Sequence, residues 1–259
     1  MPSTDPTRQG ERGPREDAPR LMVFGATGYT GRHVVQQAAA AGLPTVAHIR
    51  PDSPSGERWA AQFEAAGAVV DRSPWEPAAI ADSLRRHAID VAFALLGTTS
   101  KKASDAAARG GDASYDAVDV GMSLMVLEGL EALAAQRPKP PRMVYLSALG
   151  VSETARGAYL RARWEVESRL HRSSIEWVIA RPSFITGPDR GESRPMERIG
   201  AAVSDALLNA SRWLGATKVH DRFASLSGHD LAAGLLEHGL DRGAVRRTIE
   251  ADALRPRRA

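Results

Sequence analysis

The stretch that most constrains this chain is residues 21–31, Leu-Met-Val-Phe-Gly-Ala-Thr-Gly-Tyr-Thr-Gly. Four apolar residues, with no polar alternation, run straight into Gly25. A continuous apolar run bounded by glycine fits a strand buried on both faces of a parallel sheet. Gly25, Gly28 and Gly31 then recur at every third position. Glycine at such positions lets the chain turn sharply, lets a phosphate approach the backbone, and lets the next helix pack close to the strand. The helix start behind them supplies free N–H groups and the positive end of a dipole, which favour an anion. Gly25, Thr27, Gly28, Tyr29, Thr30 and Gly31 are therefore the candidate phosphate cradle.

The rest of the chain carries the alternation that such a sheet needs. Residues 1–19 are rich in Pro, Gly, Arg and acids and have little to bury, so a disordered tail is expected. Val34, Val35, Ala38 and Ala41 recur at helical spacing and predict a helix over 30–41, stopped by Gly42 and Pro44. Strands are predicted at 45–50, 68–71, 90–96, 142–146 and 175–180. Helices are predicted at 57–66, 77–87, 115–136 and 158–172, with a polar loop at 100–114. Beyond Gly187 the alternation weakens. A charged loop at 188–195 precedes Met196, Ile199, Val203, Ala206, Leu207, Ala210 and Leu214, which mark an amphipathic helix. Another helix at 229–240 and a last strand at 245–250 complete the chain. The expected architecture is α/β, a doubly wound parallel sheet (Rossmann) over 20–187 with a small C-terminal cap, 188–259, packed on the same domain.

Ligands in such sheets bind beyond the carboxyl ends of the strands. The predicted strands end in Gly25, Arg50, Gly97-Thr98, Ser147 and Pro182-Ser183, each suited to a nucleotide site at that edge. The residue after the second strand discriminates the two nicotinamide cofactors. An acid there holds the adenosine ribose hydroxyls, whereas a base pairs with a 2′-phosphate. This chain places Arg50 there and no acid before Asp52. A guanidinium suits a phosphate, so NADP(H) is expected in preference to NAD(H).

Composition narrows the alternatives. The 259 residues include no cysteine, which excludes disulfides and Cys-based zinc sites. No apolar run is long enough to span a bilayer, and residues 1–20 lack the apolar core of a secretory signal, so a cytoplasmic location without a membrane partner is expected. The net charge is only +3 and basic residues are mixed with acids along the chain, which argues against a nucleic-acid partner. The seven histidines are scattered, giving no metal site, and no Gly-x-Ser-x-Gly elbow is present.

Several motifs together resemble an atypical short-chain dehydrogenase/reductase. They are Gly25-x-x-Gly28-x-x-Gly31, the loop 96–99 (Leu-Gly-Thr-Thr), Ser147 after the fifth strand and Tyr159 on the next helix. Lys102-Ala103, Tyr159-Leu160 with Glu165-Val166-Glu167, Arg181-Pro182 and the loop 189–195 resemble the Tat-interactive-protein-like oxidoreductases in particular. The resemblance implies that Tyr159 is the acid/base toward a substrate oxygen and that Ser147 orients the substrate. In this superfamily a lysine four residues after the tyrosine eases its ionisation and holds the nicotinamide ribose. Here that position is Arg163, which keeps the charge but is planar and does not titrate.

The function expected is an NADP(H)-dependent oxidoreductase acting on a small carbonyl or alcohol. The alternative is a weakly active or inactive NADP(H)-sensing regulator that binds a protein partner, which the lost lysine favours. Sugar-nucleotide epimerisation would call for a larger substrate domain. By family resemblance, the helix over 115–136 is a candidate homodimer face.

Overall fold

The computed structural model describes residues 17–97, 120–183, 185–186 and 225–255. Residues 1–16 of the tail predicted over 1–19, Thr98, Lys102, the loop 100–114, the start of the helix over 115–136, and the loop and helix at 188–214 lie outside the described residues.

The elements are β1 (Leu21–Phe24), α1 (Tyr29–Ala40), β2 (Thr45–His48), α2 (Gly56–Ala65), β3 (Val69–Asp71), α3 (Pro77–Arg86) and β4 (Val91–Ala94). They continue as α4 (Met122–Ala134), β5 (Arg142–Leu146), α5 (Ala158–His171), β6 (Glu176–Arg181), β7 (Ile185–Thr186), β8 (Leu226–Ser227), α6 (Gly228–Leu240) and β9 (Arg247–Glu250). Seven strands form one sheet in the order β3-β2-β1-β4-β5-β6-β9, and every neighbouring pair is parallel. β7 and β8 form a separate parallel pair.

The unbroken apolar run of β1 has a direct cause. Leu21 and Val23 point into one core with Val34, Val35, Phe63, Phe93, Val144 and Leu235, under α1, α2 and α6. Met22 and Phe24 point into the other with Ile80, Leu84, Leu127, Leu130, Tyr145 and Val166, under α3, α4 and α5. A strand with helices on both faces has no solvent side to be polar for.

Two expectations change. The strand predicted over 45–50 ends at His48: Ile49 N–H still reaches the Asp71 carbonyl at 2.9 Å, but Pro51, which has no N–H, opens a turn. The C-terminal stretch expected as a cap is, in its described part, built into the sheet's own layers. α6 lies on α1 and β9 pairs with β6. Glycines permit this approach. A Cβ on Gly228 would stand 2.4 Å from the Tyr29 ring, one on Gly234 2.2 Å from the Leu254 carbonyl, and one on Gly239 2.9 Å from Val144. Arg142 then fastens α6 to the sheet. Its Nη1 donates to the carbonyls of Gly239 (2.8 Å) and Asp241 (2.7 Å), and its Nη2 donates to Glu176 (2.8 Å).

At the sheet's β3 edge, Asp71 organises the turn into α3. Its side chain is 2% exposed and accepts from Ser73 N–H (3.0 Å), Arg86 (2.7 Å) and the His87 ring (3.1 Å). Burial alone would raise its pKa, but these hydrogen bonds outweigh burial and hold the carboxyl well below the usual aspartate range. The neighbouring His48 is lowered by burial, only partly offset by its bond to the Ser73 carbonyl. A carboxyl depressed in the folded state stabilises above its unfolded pKa, and that contribution is lost as pH falls. Asp71→Asn should therefore cost at least about 2 kcal/mol at pH 7. The gap between variant and wild type should narrow as pH drops below about 4. Urea unfolding from pH 7 to pH 3 measures both; a gap that does not depend on pH would contradict this account.

Candidate functional site

The carboxyl ends of β1, β2, β4, β5 and β6 share one edge of the sheet, and those of the predicted residues that the structure describes lie along it. Gly25 leaves β1 at φ +81°, and a Cβ there would stand 2.6 Å from the Leu95 carbonyl. A side chain is excluded both by conformation and by space. Gly28 N–H donates to the Gly25 carbonyl at 2.9 Å, closing the turn. A Cβ on Gly31 would meet that same carbonyl at 2.1 Å, so the first turn of α1 rests directly on the loop.

Gly28 caps α1 without a side-chain hydrogen bond, and the first turn contains no acid. Its N–H groups therefore keep the capacity that an anion satisfies. Thr27 and Gly28 are half-buried in the loop, and Thr30 is buried behind it. The backbone here is packed too closely on itself to admit side chains at Gly25 and Gly31.

Tyr29 takes a different place. Its hydroxyl donates to the Thr186 carbonyl (3.2 Å) and accepts from Gly228 N–H (3.4 Å), so it ties the loop to β7 and the start of α6. The Arg32 guanidinium lies 5.0 Å from its ring centre and 5.3 Å from that of Trp59. Arg50 stands two residues past β2 with its side chain 45% exposed, paired at 3.3 Å with the more exposed Asp52. Such a pair contributes little and yields easily to a stronger anion.

Further along the edge, Tyr159 lies in the first turn of α5 and is 37% exposed. Arg163, one turn on, is 3% exposed, with its guanidinium 5.2 Å from the Tyr159 ring centre. Arg163 donates to the carbonyls of Leu146 (2.8 Å) and Leu96 (3.0 Å) and to the Tyr145 hydroxyl (3.2 Å). The guanidinium thus bridges the exits of β4 and β5, passing within 3.3 Å of where Gly97 would carry a Cβ. A lysine would have to serve both carbonyls from a single nitrogen, whereas the guanidinium reaches each with its own.

Ser147 is 4% exposed and donates at 2.5 Å to Glu167, whose side chain is fully buried. Glu167 accepts a fork from Arg181, at 3.0 Å from Nε and 2.5 Å from Nη2, and Arg181 reaches on to Glu250 at 3.3 Å. Bonding to Glu167 is the main cause that raises the Arg181 pKa above its ordinary value. A carboxylate only accepts, so the Ser147 proton is spent on Glu167 and its oxygen keeps lone pairs alone. Pro182 is buried and its carbonyl accepts from Leu149 N–H at 3.0 Å, while Ser183 is half-buried beside it.

Sequence reasoning marked Glu167 and Arg181 only as shared motif residues. The signal that singles them out is available: Glu167 shares the buried face of α5 with Val166 and Leu170, where an unpaired carboxylate would be costly. Among the described residues no group of three His, Asp or Glu is placed to hold a metal ion, and no helix is long and apolar enough to cross a membrane.

The NAD(P)H-binding family model matches residues 25–206, and the chain belongs to that family. The fold is that of an atypical short-chain dehydrogenase/reductase. No curated protein matches the chain in sequence. Solved structures do. A short-chain type dehydrogenase/reductase from Mycobacterium ulcerans is 14% identical with a TM-score of 0.64, over 93% of this chain and 91% of that one. The leucoanthocyanidin reductase of Vitis vinifera, in binary complex with NADPH, is 14% identical with a TM-score of 0.57, over 88% and 67%. The Bordetella bronchiseptica enzyme WbmG, in complex with NAD, is 15% identical with a TM-score of 0.60, over 92% and 74%. These matches show the fold; the narrower likeness to the Tat-interactive group is carried only by the sequence motifs.

Gly31→Ala tests the cradle. Its methyl cannot coexist with the Gly25 carbonyl at 2.1 Å. NADPH affinity, read by calorimetry on protein shown by circular dichroism to be folded, should fall at least about tenfold, about 1.4 kcal/mol. An unchanged affinity would contradict the assignment.

Proposed function

We propose that this protein is an NADP(H)-dependent oxidoreductase acting on a small carbonyl or alcohol, with Tyr159 as the acid/base. The observation that carries the proposal is the pairing of two features on one sheet edge. One is a glycine loop that leaves an uncapped helix start; the other is an accessible phenol held above a buried guanidinium. The cofactor supplies redox equivalents to or from the substrate carbon, and protein groups position and polarise.

In this proposal the residues of the first loop, Gly25 to Gly31, hold the diphosphate. Arg50 takes the adenosine 2′-phosphate, because its exposed partner Asp52 is easily displaced. Gly97, Pro182 and Ser183 line the nicotinamide end. Tyr159 gives a proton to the substrate oxygen in reduction and accepts it in oxidation. Arg163 stays protonated throughout. Its charge is presented to the ring face, where a cation is attracted to the π-system, while its hydrogen bonds keep β4, β5 and α5 in register.

Ser147 serves differently from a substrate-orienting donor. With its proton held by Glu167, it can only accept, from a substrate hydroxyl or an amide N–H. The protein works as a small-molecule enzyme in the cytoplasm, and a second copy would pack on α4.

NADPH oxidation measured against a panel of aldehydes and quinones tests this function. Wild type should turn over at least one of them. Tyr159→Phe should lower kcat by at least about a hundredfold, the usual scale of a lost general acid, with NADPH affinity unchanged. A Tyr159→Phe enzyme as fast as wild type would overturn the role of Tyr159. NADPH binding with no turnover of any compound would favour the sensor instead.

A further inference from the structure

The exit of β2 is not the only strand exit that carries a cation at this edge. β2 and β3 are paired through His48↔Asp71, and Ile49 N–H continues the pairing to the Asp71 carbonyl at 2.9 Å. Arg50 and Arg72 are therefore the first arginines past two neighbouring strands. Arg50 opens the loop that joins β2 to α2, and Arg72 borders it. Ser53 N–H donates to the Arg50 carbonyl (3.1 Å) and Gly56 N–H to the Ser53 carbonyl (3.0 Å), which folds the loop back on itself. The Arg72 guanidinium lies against that fold, 3.4 Å from where a Cβ would stand on Gly56.

The acids nearby divide into two kinds. Asp52 and Glu57 pair with Arg50 and Arg72 at 3.3 and 2.8 Å, but their side chains are 75% and 91% exposed. Pairs so exposed are weak and screened by salt. Asp71, at the end of β3, is buried and taken by Ser73, Arg86 and His87. The two arginines thus face solvent and weakly held counter-ions.

We propose that Arg72 is a second determinant of cofactor choice, acting with Arg50 to bind the 2′-phosphate of an adenine dinucleotide as it displaces Asp52 and Glu57. The proposal rests on the NADP(H) reading of Arg50 and adds to it a residue just past β3. A phosphate flanked by two guanidiniums is held by charge and by direction, since each can offer paired donors.

Calorimetric titration of wild type, Arg50→Ala, Arg72→Ala and Arg72→Lys separates the possibilities. The probes are NADPH, NADH, and the fragment pair 2′,5′-ADP and 5′-AMP, which lack nicotinamide. Arg72→Ala should weaken NADPH and 2′,5′-ADP by at least about tenfold and change NADH and 5′-AMP by less than about twofold. Arg72→Lys should recover part of the loss, since charge returns without the fork. Equal weakening of all four probes, or of none, overturns the role of Arg72. A loss in Arg50→Ala without one in Arg72→Ala overturns this inference and leaves the NADP(H) reading standing. A wild type that binds neither dinucleotide overturns both.

Discussion

Much of the site depends on how closely α1 can approach the turn that leaves β1. No side chain fits at Gly31, where a Cβ would lie 2.1 Å from the Gly25 carbonyl. That contact aims the start of α1 at the carboxyl edge and seats Val34, Val35 and Ala38 on the sheet. It also sets the platform on which the C-terminal elements pack. α6 lies on α1, Tyr29 bridges to Thr186 and Gly228, and β9 closes the sheet beyond β6. The nucleotide loop and the C-terminal layer are thus parts of one packing problem.

Charge does the corresponding work on the other face. Arg163 spans the Leu96 and Leu146 carbonyls, while Glu167 gathers Ser147 and Arg181, and both sit on α5 one turn apart. Buried charges are costly without hydrogen-bond partners, and removing one partner leaves the other to bear the full desolvation cost. The arrangement holds the exits of β4, β5 and β6 together around Tyr159. Ser147 and Arg163, which the sequence resemblance pairs with Tyr159, thus have hydrogen-bond partners within the protein. In the proposed reaction, proton exchange falls to Tyr159 alone.

The strands were legible because each is a short apolar run with a turn signal behind it, and their alternation with helices implies a parallel sheet. The glycine loop was legible because its constraint is local: three glycines at fixed spacing serve one tight turn. The membership of α6 and β9 in the main layers was not, since it rests on Gly234 against Leu254 and Gly239 against Phe93 and Val144, contacts between distant parts of the chain. The same holds for Arg163. Its spacing from Tyr159 suggested a group serving the phenol, whereas its hydrogen bonds go to carbonyls 17 and 67 residues away in sequence. Arg72 was invisible in sequence because only the β2–β3 ladder and the fold of the loop after β2 bring its guanidinium against that loop.

The most direct test of the proposed site is a crystal structure of the protein with NADPH bound. The expected result is the diphosphate on the backbone of the loop from Gly25 to Gly31, the nicotinamide ring beside Tyr159, and the Glu167–Ser147 bond intact. A diphosphate seated elsewhere, or a nicotinamide turned away from Tyr159, would contradict it.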